Sequence, residues 1–122
     1  NQLSNQVDLL EQIPRPQPED KKRLCASYLA RAMEEALVQD YSSAIDDITR
    51  AILLDNELYF AYFCRANWRY KLLEYKRAMG EKTDAADFEL MMRDYDYVIL
   101  HQPDFSFAYY NKANMLCLQK NY

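Results

Sequence analysis

Helix-breaking residues are scarce in this chain of 122 residues, which has one glycine and four prolines, three of them clustered from Pro14 to Pro18. Because glycine and proline most often interrupt regular structure, this scarcity predicts an almost entirely helical fold. The three cysteines form no CxxC pair, so neither a disulfide framework nor a zinc site is indicated. We expect Cys64 and Cys117, which lie in helical segments, to be small buried hydrophobes. With one histidine and no glycine-rich phosphate loop, we expect no enzyme activity, no cofactor and no metal site.

Charge and hydropathy limit the classes of partner. The net charge is −4 and the isoelectric point is near 5.0, which gives no electrostatic reason to expect nucleic acid or an anionic membrane. No apolar run approaches the roughly 20 residues of a membrane span. We therefore expect a protein or peptide partner. The compartment stays open: the cytoplasm is favoured, and a periplasmic or extracytoplasmic location is the alternative if a signal peptide has been removed.

A segment of eight residues occurs twice in the chain. Residues 60–67 read FAYFCRAN and residues 107–114 read FAYYNKAN, with five identical positions. A weaker copy precedes them, in which Tyr28 and Arg31 stand in the same relation as Tyr62 and Arg65. The weaker copy and the copy at residues 60–67 are separated by 34 residues. Repetition at this period is typical of stacked helix pairs that bury their apolar faces against their neighbours.

The N-terminal part reads as a short helix followed by a linker. Leu3, Val7 and Leu10 are spaced for one face of a helix that should end before Pro14. We therefore assign residues 1–18 to an N-terminal helix and a proline-rich linker, and residues 19–122 to the repeat domain.

The second repeat is longer than the first. The apolar pattern that starts at Tyr41 returns at Phe88, and this step is longer than the step from Tyr28 to Tyr62. The 13 additional residues fall between Tyr70 and Phe88, where helical periodicity continues. We expect a helical hairpin lengthened by about two turns in each arm, with Gly80 as a left-handed C-terminal cap and Thr83 or Asp84 capping the next helix.

The residues from 25 to 122 resemble the tetratricopeptide repeat family. The segment Asp40–Ile52, DYSSAIDDITRAI, resembles the second helix of that repeat. Tyr62 and Tyr109 stand where the family places aromatic packing residues. Two departures are the turn after residue 54, which lacks the family's proline, and Met91, where a small residue is usual.

The resemblance implies an all-α fold, a right-handed superhelical stack of antiparallel helix pairs (an α-solenoid). It would hold about two and a half repeats plus the N-terminal helix, at about 25–58, 59–105 with its lengthening, and 106–122, which is incomplete. It also implies a concave groove lined by the first helix of each pair. Opposite the packing stripe of those helices lie the candidate partner-binding residues Phe60, Phe63, Asn67, Tyr70, Phe107, Tyr110 and Asn114.

The two asparagines recur at equivalent positions, and an amide can hold a peptide backbone through its donor and acceptor together. The aromatic residues offer large contact area, as binding surfaces prefer. An alternative for each aromatic ring is that it only fills a joint between neighbouring helices.

Charged residues recur at equivalent sites as well. Arg65 follows Asp47 at the same spacing at which Lys112 follows Asp94. We expect an ion pair between one repeat and the next. An anion-binding strip is the alternative.

The most favoured function is a non-enzymatic scaffold that binds a peptide or protein in the groove. One alternative is self-association, through the lengthened hairpin or the open C-terminal end, where we expect Tyr109, Ala113, Met115 and Leu116 to be uncovered. Another is a regulatory or targeting segment of a larger enzyme. An RNA-binding array is the least favoured, because a basic surface is missing.

Overall fold

The computed structural model describes residues 1–120, apart from the side chain of Leu118. In this part the chain forms no strand and consists of helices: α1 (Gln2–Glu11), α2 (Pro18–Leu37), α3 (Tyr41–Leu54), α4 (Tyr59–Ala78), α5 (Ala85–His101) and α6 (Ser106–Gln119). The prediction of an all-helical fold is confirmed. The last two positions of the expected third repeat lie outside the described residues.

Local capping explains where the helices begin. Pro18 is the first residue of α2, where its missing N–H does no harm. The side chain of Asp40 accepts from the N–H of Ser43 at the start of α3. At α5, Asp84 accepts from the backbone of the first turn while Asp87 accepts from the N–H of Asp84, which forms a capping box. The helix starts could be predicted from the sequence. Each start has either an aspartate whose side chain accepts from the unpaired N–H groups of the first turn, or a proline that has no N–H to pair.

Both long helices end in the same left-handed turn. After α2, Gln39 has a φ of 64°, its N–H donates to the carbonyl of Ala36 over 3.0 Å, and the N–H of Asp40 donates to Glu35 over 2.9 Å. Gly80 closes α4 in the same way, with a φ of 74° and corresponding bonds of 3.0 and 2.8 Å. These are Schellman motifs, which satisfy carbonyls that a helix end would otherwise leave unpaired.

The pair of turns predicts opposite effects for two substitutions. Gln39→Gly should raise the free energy of unfolding by about 0.5–1 kcal/mol, because an L-residue is strained in the left-handed region. Gly80→Ala should lower it by about 1 kcal/mol, for conformational reasons alone, since a Cβ there meets no atom within 4 Å. Urea denaturation of both variants measures this. Two changes of the same sign would contradict the assignment.

The lengthening of the second repeat lies mainly in one arm. Helix α4 continues to Ala78, about two turns beyond Lys71, which corresponds to the end of α2. Helix α5, however, begins at Ala85, only three residues before Phe88. The left-handed turn at Gly80 and the two-turn extension of α4 are confirmed, whereas the equal extension of the second arm is wrong. The connection 79–84 takes up the remaining residues because Asp84 caps a new helix start.

The N-terminal unit, Asn1–Glu57, contains the first three helices. Helix α1 packs against α2, and α2 packs against α3. Val7 of α1, Ala32 of α2 and Ile48 of α3 are fully buried, and burial of a side chain the size of isoleucine contributes about 1.5–3 kcal/mol. The hydroxyl of Tyr28 donates to Glu11, which ties α1 to α2 beside this apolar contact.

The C-terminal unit, Leu58–Tyr122, contains the other three helices. Helix α5 packs against both α4 and α6, and α4 also touches α6. The core of this unit consists of buried side chains from all three helices: Ala66, Leu73, Phe88, Met91, Tyr95 and Met115. This core anchors the surfaces described below.

The open side of α6 differs in part from the expectation. Tyr109, Ala113 and Leu116 are exposed, as expected, but Met115 is buried in the core because it faces α5 and α4. Cys117, expected as a buried hydrophobe, is exposed.

Among residues 1–120, no helix combines the length and the apolar composition that crossing a membrane requires. This is consistent with the expectation from the hydropathy of the sequence.

Candidate functional site

A cleft of about 550 Å³ opens in the C-terminal unit, where residues of α4, α5 and α6 meet. Its size lies in the range of small-molecule and peptide sites in proteins. It is lined mainly by amide, phenol and sulfur-containing side chains, with one cation: Asn67, Tyr70, Lys71, Tyr95, Asn111, Asn114, Met115 and Cys117.

Asn67 is held in place by two hydrogen bonds at the wall of the cleft. The hydroxyl of Tyr95 donates to Asn67 Oδ1 over 2.5 Å, and Asn111 Nδ2 donates to the same oxygen over 3.0 Å. Because both lone pairs of Oδ1 are used, Nδ2 is the group that Asn67 can offer to a molecule in the cleft. The network therefore presents a fixed donor.

Tyr95 gives this network a rigid base. Its ring belongs to the core and is fully buried, while its hydroxyl reaches Asn67. Burial raises the pKa of the Tyr95 hydroxyl well above its ordinary value, so the group keeps its proton and remains a donor at physiological pH.

The charge of the cleft differs from that of the chain. Lys71 is exposed at the rim, 3.9 Å from Glu74, and none of the described lining residues is acidic. Because Glu74 lies beside Lys71, the described lining carries little net charge, in a chain whose net charge is −4.

Three of the seven residues expected in the groove line this cleft: Asn67, Tyr70 and Asn114. The structure does not bring the others to it. Three rings lie on the surface, with exposed fractions of 61% for Phe60, 65% for Phe107 and 67% for Tyr110.

Phe63 fills a joint between elements. Its ring centroid lies 4.7 Å from that of Phe105 and 6.2 Å from that of Tyr95, both in edge contact. It packs against the core of the C-terminal unit and is only partly buried. For this residue the alternative role of filling a joint between helices describes the structure better than a place in the cleft.

Sequence reasoning missed Tyr95 and Asn111. Tyr95 stands on the packing stripe of α5, and it is indeed buried, so the stripe alone gives no sign that its hydroxyl reaches the cleft. Asn111 occupies the position that corresponds to Cys64, which is buried. A polar residue at a position that the other repeat buries was the available signal.

A separate polar site lies inside the N-terminal unit. Asp47, of which 1% is exposed, accepts from Arg31 Nε over 2.6 Å and from its Nη2 over 2.7 Å, a two-point contact between α2 and α3. Arg50 adds a third bond of 2.7 Å from the surface side.

The C-terminal unit contains the same arrangement. Asp94, of which 3% is exposed, accepts from Arg65 over 2.8 and 2.7 Å and from Arg69 over 2.9 Å. Each buried carboxylate is thus compensated by two guanidinium groups, as burial of a charge requires.

The expected pairing of Lys112 with Asp94 is wrong, because the partners of Asp94 are Arg65 and Arg69. Lys112 instead pairs with the exposed Asp96 over 2.5 Å. The prediction used only the spacing of charged residues along the chain, whereas an ion pair forms between side chains of helices that pack against each other. Within one helix pair, α4 lies against α5, and this brings Arg65 to Asp94.

Two of the three cysteine thiols are buried. Burial raises the pKa of Cys64 to about 11 and also raises that of Cys25, so both thiols stay protonated. His101, the last residue of α5, stacks on Tyr59 with ring centroids 4.8 Å apart. Within the described residues, no group of three or more His, Cys, Asp or Glu side chains is arranged to hold a metal ion.

Comparison of the chain with protein-family models, with curated proteins and with solved structures finds no match. The internal repeat and the cleft of the C-terminal unit are therefore the features of this chain that bear on its function.

Proposed function

We propose that this chain is a non-enzymatic scaffold that binds an extended segment of a partner protein. The observation that carries the proposal is the cleft beside Asn67, whose amide is fixed as a donor by Tyr95 and Asn111. The resemblance to tetratricopeptide repeats supports a groove built from stacked helix pairs, of which this cleft is one part.

An extended peptide fits the chemistry of the lining. Its backbone offers carbonyl acceptors and N–H donors in alternation, and side-chain amides can pair with both. Asn67 would donate to a carbonyl, and Asn114, which is exposed at the cleft, would make a second contact. Tyr70 offers apolar area, and Lys71 favours an acidic side chain on the segment.

The exposed rings would extend this surface beyond the cleft. Phe60, Phe107 and Tyr110 lose little rotamer entropy on binding, which suits them to a contact surface. We assign them the role of secondary contacts with the partner.

The test is selection of peptides from a random display library on the immobilised chain, followed by affinity measurement on the best synthetic peptide. Asn114→Ala should weaken binding about tenfold or more, which is the loss of one or two hydrogen bonds. Asn5→Ala, which removes an exposed amide of α1, is the matched control and should bind like the wild type.

Two outcomes would contradict the proposal. One is a library that yields no binder. The other is a binder whose affinity is equal for Asn114→Ala and wild type, and whose amide shift changes in nuclear magnetic resonance spectra fall outside α4 and α6.

Self-association is a second candidate, favoured by the exposed face of α6. Tyr109, Ala113 and Leu116 lie together on that helix without cover in the described residues. Sedimentation at several concentrations distinguishes this function, since Leu116→Glu should then shift the chain to monomer.

A further inference from the structure

The two buried aspartate sites differ at one equivalent position. In the C-terminal unit, Asp94 is bound by Arg69 in addition to the arginine one turn earlier on α4. In the N-terminal unit, Asp47 is bound in the same way by the arginine of α2. The position on α2 that corresponds to Arg69, by the repeat that relates Tyr28 to Tyr62, holds Glu35. One unit therefore places a cation beside its buried carboxylate, and the other places a second carboxyl group there.

Glu35 has one carboxyl oxygen, Oε1, that is buried and makes no hydrogen bond. The nearby guanidinium groups of Arg31 and Arg50 are already directed at Asp47, over 2.6 and 2.7 Å. A proton is the remaining group that could join Glu35 to Asp47, because two ionised carboxylates cannot bond to each other.

The charged groups around the pair decide which acid holds this proton. Burial, and after it the neighbouring Asp47 carboxyl group, raise the pKa of Glu35 to about 7. Burial alone would raise the pKa of Asp47, but the hydrogen bonds from Arg31 and Arg50, together with the adjacent Glu35 carboxyl group, hold it below its ordinary value. The proton therefore belongs to Glu35. The charged groups that surround the pair from the three helices are Glu11, Arg31, Asp40 and Arg50.

We propose that Glu35 and Asp47 form a proton-sharing pair that makes the packing of α2 on α3 weaken as the pH rises through neutrality, whereas the C-terminal unit keeps its packing. The sign follows from linkage. A carboxyl group that binds its proton more tightly in the folded state stabilises that state fully below the unfolded value of about 4.5, and this contribution is lost as the pH rises through about 7. Above that range two carboxylates face each other beside two arginines.

The first measurement is the titration of Glu35 itself, followed through its side-chain carboxyl carbon by nuclear magnetic resonance. We expect a midpoint near 7. A midpoint near the ordinary value for glutamate would overturn the proposal.

The second measurement is amide hydrogen exchange in α2 and α3, corrected for the intrinsic pH dependence of exchange. Between pH 5 and 8 the opening equilibrium of these helices should increase roughly tenfold in the wild type, a value reduced for the partial exposure of Glu35. Glu35→Gln can donate to Asp47 at every pH, so it should abolish this increase. Glu34→Gln, one residue away and exposed, is the matched control and should retain it.

A reciprocal variant tests the comparison between the units. Arg69→Glu should give the C-terminal unit the same pH dependence, read from the fluorescence of Trp68, which is the only tryptophan and is buried in that unit. Arg69→Gln should destabilise without adding pH dependence. Equal pH profiles for the two variants would overturn the proposal. No ligand takes part in these three measurements, so their outcome does not depend on whether the chain binds a peptide.

Discussion

Replacing Asp94 by alanine should destabilise the C-terminal unit by about 3–5 kcal/mol, the loss typical of breaking a buried ion pair by removing one partner. Arg65 and Arg69 would then be left largely buried without their carboxylate, since they donate three hydrogen bonds to Asp94 in the native unit. Urea denaturation followed by the fluorescence of Trp68 measures the change, because this residue lies in α4.

A nearby control separates burial from charge. Asp96 also forms an ion pair, with Lys112 over 2.5 Å, but it is exposed. Asp96→Ala should therefore change the free energy of unfolding by less than about 1 kcal/mol. Similar losses for Asp94→Ala and Asp96→Ala would show that the buried site contributes no more than a surface pair.

Tyr95→Ala should lower the free energy of unfolding by about 3–5 kcal/mol, as large-to-small aromatic substitutions do in protein cores. The ring is fully buried and packs with Met91 and Phe88 in the core of the C-terminal unit. Its removal leaves a cavity that the surrounding helices can close only in part. Thermal and urea denaturation check the expected loss.

Tyr95→Phe separates the hydroxyl from the ring. Asn67 Oδ1 still accepts from Asn111 in this variant, so we expect a loss of only about 0.5–1.5 kcal/mol. The side-chain amide of Asn67 should, however, become mobile, which is visible in the relaxation of its Nδ2 resonance. A loss as large as that of Tyr95→Ala, or an unchanged Asn67 amide, would contradict the role assigned to the hydroxyl.

The helix boundaries could be predicted from the sequence because their signals are local. Pro18, Asp40, Gly80 and Asp84 each act on the turn in which they stand, so a single residue suffices to mark a start or an end. The length of the second arm could not be predicted in this way. The apolar spacing shows that 13 residues are added between Tyr70 and Phe88, but it does not show how many of them belong to each helix; the cap at Asp84 leaves only three residues of α5 before Phe88.

The candidate site was only partly predictable because it depends on contacts between helices. Asn67 and Asn114 recur at equivalent positions, and both line the cleft. Phe63 shares that recurrence, yet the ring of Phe105 holds it in a joint of the fold. The bond from Tyr95 to Asn67 joins residues far apart in the chain, and no pattern along the sequence indicates it.

The internal pairing of the buried aspartates bears on how a chain built from helix pairs can change its length in evolution. Asp47 is bound by arginines of α2 and α3, and Asp94, on α5, is bound by two arginines of α4. A gene segment that encodes one helix pair can therefore be duplicated or deleted as a whole without separating a buried acid from its base. If the ion pairs joined successive helix pairs, each duplication or deletion would leave a buried charge without its partner. Each helix pair thus carries the counter-charges that its buried acid needs.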